Sequence, residues 1–145
     1  MATRKHGVRS REKGRKYEQK IVQKLRAAGF VSAARNLSQS RTAKAEGPDI
    51  VGVHGVWLEL CHAKNADPKR KHAQAVTDSA GDGRRPVVVW RRDGFLKDQV
   101  TVSIADLDAL LLRLPQDLLR LPQDLLLVTM DLDDFLAALR RERGL

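Results

Sequence analysis

Residues 46–64 read EGPDIVGVHGVWLELCHAK, and the rest of the chain is organised around them. Two short apolar runs, DIVGV and VWLELC, flank a turn at His54-Gly55, the pattern of two antiparallel strands. Side chains alternate along a strand, so Asp49, Val51 and Val53 share one side of the first, and Trp57, Glu59 and Cys61 one side of the second. Pairing across the turn therefore brings Asp49 and Glu59 together at one end of a hairpin. A carboxylate within an apolar strand is costly unless something compensates it. A hard divalent cation such as Mg²⁺, held by both sets of oxygens, is one such compensation. Two plainer readings stand beside it. Asp49 follows Gly47-Pro48, where an Asp is often only a turn residue, and Glu59 can be a strand glutamate turned to solvent.

Upstream, residues 1–10 are polar and basic, which predicts a flexible arm along a phosphate backbone. A helical pattern begins near Glu12: Tyr17, Ile21, Leu25 and Ala28 fall on one stripe, and Gly29 supplies a stop. Glu18 lies beside that stripe, about 100° from Tyr17, placed either to face the hairpin carboxylates or to sit on the surface beside a lysine. Residues 30–34 (FVSAA) read as a first strand. Residues 35–46 (RNLSQSRTAKAE) are polar with three basic side chains, and a loop of that length in a compact domain is usually functional.

Downstream, Pro68 fits the first turn of a helix running to about Ala80. The run Lys69-Arg70-Lys71 then stands at the helix end where basic residues oppose the dipole, so an anion docking there is expected. Pro86 to Trp90 (PVVVW) is apolar throughout and reads as a central strand, and Gln99 to Val102 as another. Ser103 with Asp106 three residues on is a helix start, with Leu107, Leu110, Leu111 and Leu114 as its apolar stripe. LLRLPQD then occurs twice, at 111–117 and 118–124, and VTVSIADLDALL (100–111) is echoed by LVTMDLDDFLAAL (127–139). Two copies are too few for a solenoid, so a local duplication extending the C-terminus is expected. A last helix from Asp131 has Leu132, Phe135, Leu136 and Leu139 on one face. Its leucines suit subunit contacts or internal packing.

The 145 residues suit one domain with a modest core. No run approaches the ~18 apolar residues of a membrane span, and the basic N-terminus has no apolar stretch after its charges, unlike a secretory signal. One cysteine, Cys61, excludes an internal disulfide and a cysteine-rich zinc site, and the four histidines lack zinc-ligand spacing. A cytoplasmic setting without membrane association is expected. Net charge is +9, unevenly spread: residues 1–102 hold 22 Lys and Arg against 10 Asp and Glu, residues 103–145 hold 5 against 8. A basic body implies a polyanionic partner, with nucleic acid first among them. Aromatic residues are only 4% of the chain, which disfavours single-strand stacking modules. Trp57 and Trp90 read as core. Binding through duplex phosphates needs cations rather than rings.

The run KGRKYEQKIVQKLRAAGF (13–30), the arginine of AARN, GPDI at 47–50 and LEL at 58–60 resemble the PD-(D/E)xK nuclease superfamily. Within it they are most similar to the Holliday junction resolvases of the archaeal and phage type. The resemblance covers roughly residues 9–105. It implies an α/β fold of the restriction-endonuclease type, a mixed sheet flanked by helices. The nuclease domain would span 11–105, after the basic arm (1–10) and before a helical C-terminal extension (106–145). It also implies a homodimer that uses Mg²⁺, or Mn²⁺ in its place, to cut four-way DNA junctions in a bacterial, archaeal or phage-infected cell. Metal ligands would be Asp49, Glu59 and the Leu60 carbonyl, with Glu18 completing the acidic site. Arg35 matches an arginine tied to activity, and the segment from Ser38 to Lys44 a flexible loop near the scissile strand. DNA contacts are expected from Lys13, Arg15, Ser38, Ser40, Arg41, Lys44, Lys69, Arg70 and Lys71.

One position departs from the pattern. The family places a lysine two residues after the strand glutamate, where this chain has Cys61. Lys64 restores the cation if the strand bulges. Otherwise His62 or a member of the 69–71 run supplies it from another direction, or the protein binds junctions and cuts poorly. The chemistry of such a set is phosphodiester hydrolysis, with a cation polarising phosphate and acidifying water and Lys64 offsetting charge on the phosphate. Cys61 as a nucleophile lacks an oriented base. The expected activity is that of a metal-dependent, structure-selective endonuclease. A non-catalytic DNA-binding protein or a repair nickase on the same fold is the alternative.

Overall fold

A computed structural model describes residues 3–37, 47–111 and 126–145, with side chains from residue 7 onward. Helix α1 runs Thr3–Ala27, so the helix begins well before Glu12 and takes in most of the expected arm. No proline interrupts this stretch, and a Cβ at Gly7 or Gly14 would meet nothing. Residues 7–11 are exposed helix rather than packed helix. Gly29, at φ 103°, closes α1, with the Phe30 amide returning to the Leu25 carbonyl at 3.0 Å. That is the glycine-terminated ending expected there.

The expected strand at 30–34 is mostly a turn. Phe30 and Ala33 are buried, but the Ala33 amide bonds back to Phe30 at 3.0 Å, and only Ala34–Arg35 form strand β1. Strand β2 is equally short, Ile50–Val51. It stops because Gly52 is at φ 89°, with the Ser32 carbonyl where a Cβ would lie. Strand β3 is Val56–Ala63 and helix α2 Pro68–Asp78, capped by the Asp67 carboxylate on the Arg70 amide at 3.1 Å. Asp67 thus supplies the negative charge at this helix end, the position where a docked anion was expected. Strand β4, Arg85–Arg92, has three wholly buried valines, Val87 to Val89, and is central as its composition implied.

The C-terminal part differs most from expectation. Strand β5, Gln99–Ser103, leads into helix α3, Ile104–Leu111. Ser103 caps α3 by accepting the Asp106 amide at 3.1 Å. After residues 112–125, which hold the rest of the LLRLPQD copies and lie outside the described residues, strand β6 (Leu127–Asp131) leads into helix α4 (Leu132–Glu142). The echo in sequence is therefore a repeated strand–helix unit. Its strands pair antiparallel with Thr101 opposite Thr129, their hydroxyls 2.8 Å apart. The segment expected to be a helical extension contributes a strand to the main sheet. Leu132, Phe135, Leu136 and Leu139 are all buried in the common core, so this face of α4 serves internal packing.

The result is a mixed α/β fold: a six-stranded sheet in the order β1-β2-β3-β4-β5-β6. Among the described strands only β3 and β4 are parallel, joined by the α2 crossover that parallel neighbours require. Leu58, Leu60, Val87, Val89, Val100 and Val102 face α1 and α4 in the main core. The alternate residues Val88 and Trp90, with Ala66, form a second cluster on the other face, where α2 buries His72 and Ala75. Among the described residues no helix is long and apolar enough to cross a membrane.

Candidate functional site

Strand β2 pairs with β3 antiparallel, Ile50 opposite Leu58, so Asp49 comes opposite Glu59. Ile50 belongs to the core beneath α1; alternation turns Asp49 and Glu59 to the other face, toward α2. The Asp49 amide donates to the Leu58 carbonyl at 2.9 Å. One step further the backbone ladder is replaced by a side chain: Asp49 Oδ2 accepts the Leu60 amide at 2.7 Å. The Leu60 carbonyl leaves β3 on the same side as its N–H, toward Asp49. Asp49 and Glu59 thus lie side by side at one end of the hairpin, as expected; the Leu60 carbonyl was expected from the resemblance alone.

Glu59 is 7% exposed. Trp57 Nε1 donates to its Oε1 at 3.0 Å, and Lys71 Nζ lies 3.4 Å from its Oε2. Burial pushes the Glu59 carboxyl up to about 7, and Asp49 adds to the rise. Lys71 and the Trp57 indole oppose it without cancelling it. Two carboxyls and one ammonium thus meet on one face of the sheet, and the buried carboxylate is under-compensated in charge.

Glu18 is not part of this group. Its Oε2 accepts from Arg35 Nε at 2.6 Å. Arg35 stands opposite Ile50 in the β1–β2 pair, so alternation puts this ion pair on the α1 face, the reverse side from Asp49 and Glu59. Expected convergence of three acidic side chains gives way to two, with the third engaged by the arginine. The physical reason is the helix: α1 covers the opposite face, and Glu18 sits on the flank of α1 that overlooks β1. Among the described residues no three His, Cys, Asp or Glu side chains gather as a metal-holding group. The donors that remain are two carboxylates and the Leu60 carbonyl, all oxygen. They fit a divalent cation that keeps several of its waters, as Mg²⁺ does with one or two protein carboxylates.

The cation nearest Glu59 comes from α2 and not from β3. Lys64 is exposed in the turn after β3, where its charge acts on Asp93. Lys71, one turn into α2, is the cation that reaches Glu59. Cys61, half-buried on the same face, borders a cavity of about 250 Å³ with Arg70, Lys71 and Asn65. His62, on the other face, lies against Tyr17 with ring centroids 4.8 Å apart. Of the expected DNA contacts, Lys69 and Arg70 are exposed at the α2 N-terminus and Arg15 on α1, and Lys13 pairs with Asp93. Ser38, Ser40, Arg41 and Lys44 lie outside the described residues.

Two groups escaped the sequence reading. Trp57, taken as core, is buried but also donates to Glu59, a link legible in their i, i+2 spacing on one strand face. Asp98, only 3% exposed, binds Tyr17 Oη at 3.1 Å and Lys24 at 2.6 Å, with Lys20 at 3.3 Å. It clamps α1 to the sheet, and nothing in its local sequence announced it. No family model, curated protein or solved structure matches the chain.

Proposed function

We propose that the chain is a nuclease, a metal-dependent phosphodiesterase acting on duplex DNA. More narrowly, it is an endonuclease of the PD-(D/E)xK kind that cuts four-way junctions as a homodimer, since paired incisions need two sites. The observation that carries this reading is the meeting of Asp49, Glu59 and Lys71 on one sheet face. The order helix, strand, hairpin, helix, strand, with the parallel β3–β4 crossover, supports it further. So does the basic charge of residues 1–102.

Asp49, Glu59 and the Leu60 carbonyl would hold the cation, which when bound supplies charge neutralisation at phosphate and a more acidic water. The chain's own groups do the rest. Trp57 fixes one Glu59 oxygen, and the Leu60 amide fixes one Asp49 oxygen, so both carboxylates are pre-oriented. Lys71 stands beside them to offset negative charge developing on the phosphate. It replaces in space the lysine that Cys61 displaces in sequence. Arg35 holds Glu18 away from the pair, and its role here is to brace α1 against β1.

The test is incubation with a synthetic four-way junction beside linear duplex, with and without Mg²⁺. Cleavage that needs Mg²⁺ and disappears in Asp49→Asn, with junction binding retained, supports the reading; cleavage retained by Asp49→Asn removes Asp49 from the site. The replacement of the strand lysine by Cys61 and the diversion of Glu18 favour one other reading, a DNA-binding protein without cleavage. Binding with no cleavage under any divalent cation would select it.

A further inference from the structure

A cleft of about 430 Å³ opens on the face of the sheet away from the carboxylate pair. It is lined by Arg9, Lys13, Lys16 and Lys20 of α1, with Glu12 and Tyr17 between them, and by His62 and Arg91 at the ends of β3 and β4. The α1 cations recur at spacings of 4, 3 and 4, and Lys24 extends the row by another 4. They occupy an arc of about 80° and span about 22 Å along the helix axis. Helix geometry puts this row on the flank opposite Glu18, roughly 160° away. Asp98 clamps the row at Lys20 and Lys24, and Asp93 at Lys13, which fixes its position over the sheet. Lys16 shares its charge with Glu12 at 3.2 Å in an exposed pair that a phosphate can displace, and Arg9 has no carboxylate partner among the described residues. Across the cleft, Arg91 is held by the Phe95 carbonyl at 2.7 Å. His62 Nε2 lies 3.3 Å from the Asp93 carboxylate that also holds Lys13.

We infer that this cleft is a second phosphate-binding surface, which takes the backbone of one DNA arm while α2 and the Asp49–Glu59 pair face another. The proposal rests on the nuclease reading for the second half of that statement only. A row of cations one helical turn apart suits a polyanion that presents charge continuously along its axis. A membrane surface fits poorly, because no large apolar side chain between Arg9 and Lys24 is exposed and an interfacial helix needs an apolar face. The two cationic surfaces lie on opposite faces of one sheet, so a straight duplex cannot lie along both. A branched or sharply bent duplex engages both. Selectivity for branched DNA thus arises within a single protomer.

The experiment is binding of a fluorescent four-way junction and of linear duplex, in EDTA so that no cleavage intervenes, across 50–300 mM salt. The variant is Arg9→Gln/Lys16→Gln/Arg91→Gln, all three exposed or partly exposed, with circular dichroism confirming its fold. Arg140→Gln/Arg141→Gln on α4 controls for charge alone. Loss of three phosphate contacts lowers the salt slope for the junction by about 3 and weakens binding roughly a hundredfold at 0.15 M. The α4 variant leaves the slope unchanged, and the junction's advantage over linear duplex shrinks in the cleft variant only. An unchanged slope in the cleft variant overturns the cleft while leaving the nuclease reading intact. So does equal loss for junction and linear duplex. Absence of any DNA binding by the wild type overturns both. Cleft-dependent binding without cleavage by the wild type under Mg²⁺ sinks the nuclease reading and keeps the cleft.

Discussion

Replacing Glu59 by Gln tests the electrostatics of the candidate site without any assay of cleavage. The carboxyl sits at about 7 in the folded protein against 4.5 as a reference, a rise caused first by burial and then by Asp49. A raised folded value means that the unfolded chain releases this proton more readily. Below pH 4.5 Glu59 is neutral in both states and carries no penalty. Between pH 4.5 and about 7 the unfolded state ionises first and stability is lost, after which the loss levels off. At about 1.4 kcal/mol per unit, the penalty reaches about 3 kcal/mol, or roughly 10 °C in melting temperature for a chain of this size. The amide keeps an oxygen for Trp57 and has no charge to desolvate. Thermal melts in EDTA should therefore show Glu59→Gln close to wild type near pH 4.5 and well above it at pH 8. Mg²⁺ should narrow the gap at pH 8 by stabilising only the wild type. A wild-type-to-variant difference that stays constant from pH 4.5 to 8 would refute the assignment of Glu59 as a buried, under-compensated carboxyl.

Lys71→Ala should lower Mg²⁺-dependent cleavage by two orders of magnitude or more, and Lys64→Ala by less than a few-fold, read as single-turnover rates on a junction; the reverse ranking would return the role to Lys64. Adding Cys61→Lys to Lys71→Ala should recover part of the lost rate, because position 61 shares the face and the cavity beside Glu59; no recovery would mean that the strand position cannot reach the site. Buried His72 has a lowered pKa through burial, so stability is present above pH 6.5 and is lost as pH falls through its folded value. His72→Leu should flatten that acid limb in urea titrations, and an unchanged limb would place the acid sensitivity elsewhere.

The register of the hairpin was not legible, since a two-residue turn at His54-Gly55 would pair Ile50 with Glu59 and the break at Gly52 instead sets Ile50 opposite Leu58. Its existence was, because two short apolar runs flank one turn. Pro68, Ser103 and Gly29 were legible for the same reason: caps and stops are decided within one turn of chain. The reach of Glu18 was not, since whether a helix lies above or below a sheet is settled by packing between distant segments. Asp98 was hidden likewise, its three partners all lying more than 70 residues away in sequence. Lys71 was visible only as one of three adjacent basic residues. The α2 crossover decides which of them swings toward β3. The strand character of 127–131 was masked by the helix that follows directly, although the VT pair shared with β5 carried the signal.

The paired strand–helix units at the C-terminus bear on how this protein can be trimmed. A fragment stopping at residue 111 would strip β5 of its outer neighbour and leave a row of backbone amides and carbonyls ready to recruit another chain. It would also bare the valines that Phe135 and Leu139 now cover. The minimal folding unit therefore includes the tail, and a shortened version should be recovered as aggregate rather than as a smaller folded protein.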